Sequence, residues 1–201
     1  MLFWSCSEET TINFFGGIKL EYGHFENEGS KYVIETPKTP FPWYNCHYNK
    51  DYYLTVSQTA YGESRTINPY EKIFNREYRL FYICDGQEIW CPAYRPLKTE
   101  LDEYKCEQEL AFTRIISKKS GVKSNITAFV PLEGMYEIWQ HKVENSSDCV
   151  KELRIISAWS LEFADMGPKC EADIQKRVIK SHVFPYYIKY EEYENIKKLN
   201  N

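Results

Sequence analysis

Hydrophobic and polar positions alternate with a period of two along most of this chain, and the 3.6-residue period of a helix surfaces only near its end. The clearest run is Val122 to Val130. There Val122, Ser124, Ile126, Ala128 and Val130 share one face, while Lys123, Asn125, Thr127 and Phe129 share the other. This alternation predicts a half-buried strand, closed by Pro131 and joined through Lys118-Lys119-Ser120-Gly121 to a strand from Phe112 to Ser117. Glu137 to Val143 and Leu153 to Trp159 keep the same period around Glu144-Asn145-Ser146-Ser147-Asp148. Upstream, Ile18 to Leu20 and Lys31 to Ile34 read as short strands around the loop Asn27-Glu28-Gly29-Ser30. Tyr52 to Val56 reads as another strand, followed by a loop at Ala60-Tyr61-Gly62-Glu63-Ser64.

The strongest local signal is Leu80-Phe81-Tyr82-Ile83-Cys84 and Gln87-Glu88-Ile89-Trp90-Cys91 flanking Asp85-Gly86, a pair suited to a two-residue type I′ turn. That register places Phe81 opposite Trp90, Tyr82 opposite Ile89 and Leu80 opposite Cys91, each pair adding about 0.2 to 1 kcal/mol. Pro92 stops the ladder, and Tyr94-Arg95-Pro96 begins a loop. Helical character is confined to Asp173 to Val178 and to Tyr190 to Leu199, where Glu194 and Lys198 stand at i,i+4. The pattern as a whole predicts an all-β, antiparallel β-sandwich with a short C-terminal helical segment, one domain over residues 1–201.

One stretch departs from the alternation. In Thr36-Pro37-Lys38-Thr39-Pro40-Phe41-Pro42-Trp43-Tyr44, three prolines fix their own φ and hold Thr36, Thr39 and Phe41 out of helix. A stiff strap ending in two aromatics follows, able either to present rings to a ligand or to plug a core.

Composition sharpens this picture. Aromatic residues make up 16% of the 201, which favours a pleated sheet and also suits sugar binding. A net charge of -4 gives no field to attract a polyanion, so nucleic acid is not expected as a partner. No apolar run approaches the ~20 residues of a spanning helix, Leu2-Phe3-Trp4 is too short for a signal-peptide core, and no membrane association is expected. Seven cysteines, an odd number without Cys-x-x-Cys pairs, suit a reduced compartment, and a cytoplasmic location is the expectation. No metal site is expected, because neighbours such as Cys46 and His47 point to opposite faces of an extended segment.

No nucleophile elbow, phosphate loop or dinucleotide fingerprint is present, and no catalytic residue is assigned. Glu107 and Glu109 stand roughly 6.6 Å apart if extended, within the ~6.5 to 9.5 Å of inverting glycosidases, yet they read better as a solvated strand face. His141 with Glu137 is the nearest match to a mutarotase-like pair, and reads better as structural. Trp43, Tyr44, Trp90, Tyr94 and Tyr104 lie beside loops. Their rings could accept the C–H face of a pyranose while Arg95, Gln108 or Arg65 bonds its hydroxyls, against the plainer reading of core packing.

Several stretches occur together in a telling order. They are Tyr22-Gly23-His24-Phe25, Tyr32-Val33-Ile34, Pro37-Lys38-Thr39-Pro40-Phe41-Pro42-Trp43, Trp90-Cys91-Pro92 and Tyr104-Lys105-Cys106, then Phe112-Thr113-Arg114-Ile115, Phe129-Val130-Pro131-Leu132 and Glu137-Ile138-Trp139. Asn145-Ser146-Ser147 and Trp159-Ser160-Leu161-Glu162-Phe163 follow them. Over about residues 22–163 this set resembles the N-terminal domain of the glycoside hydrolase family 94 phosphorylases, which include cellobiose and chitobiose phosphorylases. The resemblance implies a galactose-mutarotase-like β-supersandwich, with residues 164–201 as an extension. It also implies that catalysis belongs to an (α/α)6 barrel that follows this domain, which nothing here resembles, so the chain would be a fragment, a split subunit or a remnant. No cofactor is implied, and inorganic phosphate is a substrate of the whole enzyme.

The implied partners are an oligosaccharide, the catalytic barrel as domain or subunit, and a second copy in a homodimer. For carbohydrate contact the resemblance implies the strap ending in Trp43 and the segment around Tyr104 to Arg114; together with the aromatics and polar groups beside loops, the candidate contact residues are Trp43, Tyr44, Trp90, Tyr94, Arg95, Tyr104, Gln108 and Arg114. Gln108, Glu109 and Ala111 stand where the family tends to carry His, Gly and Gly, and losing two glycines hinders close backbone approach there. A free-standing carbohydrate-binding module and a small mutarotase-like enzyme are the alternatives.

Overall fold

A computed structural model describes residues 22–67, 72–75, 77–159 and 169–182. The largest sheet takes strands β1 (Gly23–Glu26), β2 (Lys31–Ile34), β9 (Glu103–Glu109), β10 (Thr113–Lys119), β11 (Val122–Phe129) and β12 (Ile138–Asn145), in that spatial order and antiparallel throughout. A four-stranded sheet is built from β3 (Tyr44–Tyr48), β4 (Tyr52–Ser57), β5 (Ser64–Thr66) and β6 (Lys72–Asn75). A third sheet has the order β13 (Leu153–Trp159), β7 (Arg79–Asp85), β8 (Glu88–Trp90), and β14 (Lys169–Asp173) pairs with β15 (Val178–His182).

The sandwich follows from which faces are apolar. Ile34, Cys106, Ile115 and Ile126 form one row across the large sheet and pack on Phe81 of β7, with Ala60 and Ala93 completing the cluster. Tyr52, Leu54 and Val56 of β4 pack on Ala128 of β11, and Ile83 and Trp90 pack on Val122. The second layer is stitched where the two smaller sheets meet. Tyr61 and Tyr78 form an isolated antiparallel bridge, the Gly62 amide donates to the Glu77 carbonyl at 3.3 Å, and the Arg79 amide donates to the Ala60 carbonyl at 3.3 Å.

The face read for Val122 to Val130 holds: Val122, Ser124, Ile126 and Ala128 are buried, while the residues between them reach the other side. Three other readings change. The hairpin pairs Ile83 with Trp90 and Cys84 with Ile89, a shift from the expected register. Gly86, at φ +62°, is the first of the two loop residues and Gln87 the second. Glycine there satisfies a turn needing one left-handed residue, whereas the expected type I′ geometry would have forced Asp85 into that region too. The type I′ geometry appears instead at Ser120-Gly121, where φ is +49° and +77° between paired Lys119 and Val122.

Second, β3 and the short strands β5 and β6 were not anticipated. In β3 the tyrosines face out and Asn45 and His47 face in, an inverted alternation that only polar partners across the sandwich allow: Asn45 Nδ2 donates to the Glu109 carbonyl at 2.7 Å, and His47 Nε2 lies 2.9 Å from Thr113 Oγ1. Third, Asp173 to Val178 is the turn of the β14–β15 hairpin rather than a helix, with Asp173 Oδ1 accepting from the Lys176 amide at 3.0 Å. The first described strand is Gly23–Glu26, and the expected strand Ile18 to Leu20 lies outside the described residues. Tyr190 to Leu199 lies outside the described residues. Among the described residues no helix is long and apolar enough to cross a membrane.

Candidate functional site

The strap is fixed by side chains from three other segments. Successive residues of an extended chain point to opposite sides, so Trp43 turns in and Tyr44 turns out. Trp43 packs against Tyr32 at 5.7 Å between ring centres and Tyr22 at 5.9 Å, and belongs to the edge of the main core cluster. Its amide donates to Gln58 Oε1 at 2.9 Å, and its carbonyl accepts from Gln108 Nε2 at 2.7 Å. Gln58 Nε2 donates to Thr39 Oγ1, and Tyr104 donates its hydroxyl to the Gln58 carbonyl. Burial pushes the Tyr104 hydroxyl well above the usual phenol range, which keeps it a donor.

Trp43, Tyr104 and Gln108 therefore converge, but as the clamp beneath the strap, with Gln58 at its centre. Gln58 is 3% exposed and was not singled out by sequence reasoning. The available signal was the polar run Ser57-Gln58-Thr59 directly after the apolar strand, all three residues of which are buried. What the clamp holds outward is apolar: Phe41 is 74% exposed on the strap, and Leu110, at the tip of the β9–β10 turn that Asn45 ties down, is 91% exposed.

The outward side of the strap leads to a second group. Tyr44 meets Tyr61 at 6.2 Å between ring centres, and Tyr61 meets Tyr78 at 4.9 Å. Arg95 Nη1 donates to the Tyr78 hydroxyl at 3.2 Å. Tyr94, at φ +71°, lies under Lys38 Nζ at 5.9 Å, and Lys38 pairs with Glu100 at 2.7 Å. Tyr44, Tyr94 and Arg95 thus share one flank, joined through Tyr61 and Tyr78.

Two expected contact residues stand apart. Trp90 is 1% exposed, packed with Ile83 and Val122, so its ring is a core element with no face open to a sugar. Arg114 lies on the outer face of the large sheet, its guanidinium 4.4 Å from the Phe112 ring centre and 3.2 Å from Glu107 Oε2. Glu107 is itself only 7% exposed and also pairs with Lys105 at 2.9 Å and Lys31 at 3.7 Å. Burial alone would raise its carboxyl, but the Lys105 hydrogen bond and the surrounding cations outweigh that and hold it below the usual range. Glu107 is an ion-pair hub rather than a solvated strand face.

The mutarotase-like pair does not form. Glu137 accepts from Arg79 Nε at 3.1 Å, Tyr52 Oη at 3.1 Å and Trp139 Nε1 at 2.9 Å, which occupies both carboxylate oxygens. His141 instead lies 2.8 Å from Ser124 Oγ and edge-on to Phe81, in a setting where burial lowers its pKa to about 4. Ser124 is fully buried, so this serine–histidine contact has no route to a substrate.

These features fit what the chain is similar to. It is 39% identical over 172 residues to 3-O-beta-D-glucopyranosyl-beta-D-glucuronide phosphorylase of Paenibacillus borealis, covering 84% of this chain and 22% of that protein. It is 30% identical over 159 residues to N,N'-diacetylchitobiose phosphorylase of Vibrio proteolyticus, covering 72% of this chain and 20% of that one. Solabiose phosphorylase of Paenibacillus borealis is 30% identical over 149 residues, 68% of this chain and 19% of that protein. The chain therefore spans about a fifth of the length of these curated relatives. The supersandwich domain of glycosyl hydrolase 94 matches residues 30–182, and the chain belongs to that family.

Proposed function

We propose that this chain is the noncatalytic N-terminal domain of a glycoside phosphorylase, and that its strap rim docks on the catalytic (α/α)6 barrel of that enzyme. The observation that carries the reading is the Gln58 clamp. It spends four hydrogen bonds on fixing the strap, and the β9–β10 turn is fixed beside it through Asn45, so that Phe41 and Leu110 stand in solvent. Apolar side chains held outward on a rigid edge suit an interface. The relatives' names support disaccharide phosphorolysis as the activity of the whole enzyme, with inorganic phosphate as a substrate. Free thiols at Cys46, Cys84, Cys91, Cys106 and Cys149 support a cytoplasmic setting. The test is incubation of the isolated chain with N,N'-diacetylchitobiose and with a glucosyl glucuronide, each with phosphate. No sugar 1-phosphate is expected, and its release by this chain alone would overturn the reading.

One observation favours a second role, carbohydrate binding by the domain itself: the cluster of exposed Tyr44 with half-buried Tyr61 and Tyr78 beside the strap, with Arg95 hydrogen-bonded to Tyr78.

A further inference from the structure

The outer face of the four-stranded sheet holds a trough of about 440 Å³ lined by Tyr44, Cys46, Tyr53, Thr55, Tyr61 and Arg65, together with Gly62 and Glu63. Its construction follows from the strand register. Cys46 pairs with Thr55 across β3 and β4, which puts two small side chains side by side on the floor. Tyr44 and Tyr61, 6.2 Å apart between ring centres, make one wall. Tyr53, paired with Arg65 on β5, makes the other, with the Arg65 guanidinium 4.7 Å from its ring centre. Gly62 sets the spacing of the walls, because a Cβ there would come within 1.9 Å of the Thr55 carbonyl oxygen. Any other residue would push the Tyr61 wall away from β4.

We propose that this trough is a binding site for a neutral pyranose oligosaccharide, distinct from the strap rim. Facing aromatic walls over a floor of small residues accept a flat, C–H-rich ring in between. Hydroxyl partners stand at the same level: the Tyr53 hydroxyl, 3.4 Å from Cys46 Sγ, and the carboxylate of Glu63. Neutrality follows from the charges. Arg65 Nε lies 3.6 Å from Glu63 Oε1, so the two offset each other and leave directed donors and acceptors without a net field. Alternating donors and acceptors match the ring of hydroxyls on a sugar better than the sparse carbonyls of a proline-rich peptide, the other ligand that aromatic troughs accept. The site goes beyond the docking role, and its failure would leave docking intact.

The test uses the 201-residue chain with ring-labelled tyrosine, titrated with cellotetraose and with chitotetraose and followed by NMR. Saturable shifts of the Tyr44, Tyr53 and Tyr61 ring signals are expected with at least one of the two. Tyr61→Ala should weaken binding at least tenfold. Cys46 is exposed, so Cys46→Trp should fill the floor and abolish binding with an unchanged melting midpoint, which separates loss of the site from loss of the fold. Three results would each overturn the proposal: no saturable shift with either sugar, wild-type affinity in Cys46→Trp, or shifts confined to tyrosines outside the trough, such as Tyr22 and Tyr32 beside Trp43. Saturation by a polyproline peptide but not by the sugars would overturn it as well.

Discussion

Arg79 and Glu137, 58 residues apart in sequence, form a two-pronged ion pair inside the sandwich: Nε to Oε1 at 3.1 Å and Nη2 to Oε2 at 3.2 Å, with side chains 0% and 6% exposed. The Arg79 guanidinium also lies 5.5 Å from the Trp139 ring centre. Removing one member strands the other charge out of water. Arg79→Ala is therefore expected to cost about 3 to 5 kcal/mol, read as a fall in the urea midpoint. Replacing both residues, Arg79→Met with Glu137→Leu, should recover only part of that loss, because the apolar pair leaves no uncompensated charge but takes away the acceptor of the Tyr52 hydroxyl and the Trp139 ring N–H.

The strap depends on Gln58 in the same way, through hydrogen bonds instead of charge. Gln58→Ala removes the acceptor of the Trp43 amide and the donor to Thr39 at a site 3% exposed. A loss of about 1 to 3 kcal/mol is expected from the unsatisfied partner, together with faster amide exchange at Trp43. Unchanged exchange there would show that the prolines alone hold the strap.

The acid response should centre on His141. Its folded pKa, about 4, lies below the ordinary 6.5 because burial disfavours the charged ring. The unfolded chain thus binds the proton first, and stability contributed by the neutral ring is full above pH 6.5 and drains away as pH falls toward 4. The whole loss is on the order of 3 kcal/mol. His141→Gln should flatten urea midpoints between those pH values relative to the parent; an equally steep decline in the variant would assign the effect elsewhere.

Self-association is expected of the isolated chain. Phe41 and Leu110 at the rim, and Ile155 and Ile156 on the edge strand β13, are each at least half exposed. Light scattering should show species above the monomer mass, and a monodisperse monomer would contradict this.

Sequence pattern alone revealed the sandwich where side chains alternate by hydrophobicity, as in Val122 to Phe129. It missed β3, because Tyr44 and Tyr48 face solvent while Asn45 and His47 face the core, and only the distant Glu109 and Thr113 make that inversion affordable. It misplaced one hairpin register because Asp-Gly specifies that a turn occurs more firmly than it specifies which of the loop positions glycine takes. Of the contact residues, Tyr44, Tyr94 and Arg95 lie together on the surface, whereas Trp90 is interior. An aromatic beside a loop reads alike in both cases, since its burial is decided by strands far away in sequence. Gln58 was illegible for the same reason: its three hydrogen bonds reach Thr39, Trp43 and Tyr104, and Gln108, on the same strand as Tyr104, completes the clamp with its bond to Trp43.

The docking role is tested most directly by hydrogen exchange on this chain, with and without the remainder of the Paenibacillus borealis glucosyl-glucuronide phosphorylase expressed free of the portion that matches it. Protection is expected at residues 39–43, 57–60 and 109–112, the three segments of the rim. Protection elsewhere, or an unchanged exchange pattern across those segments, would contradict the assignment of the strap rim as the surface that meets the catalytic barrel.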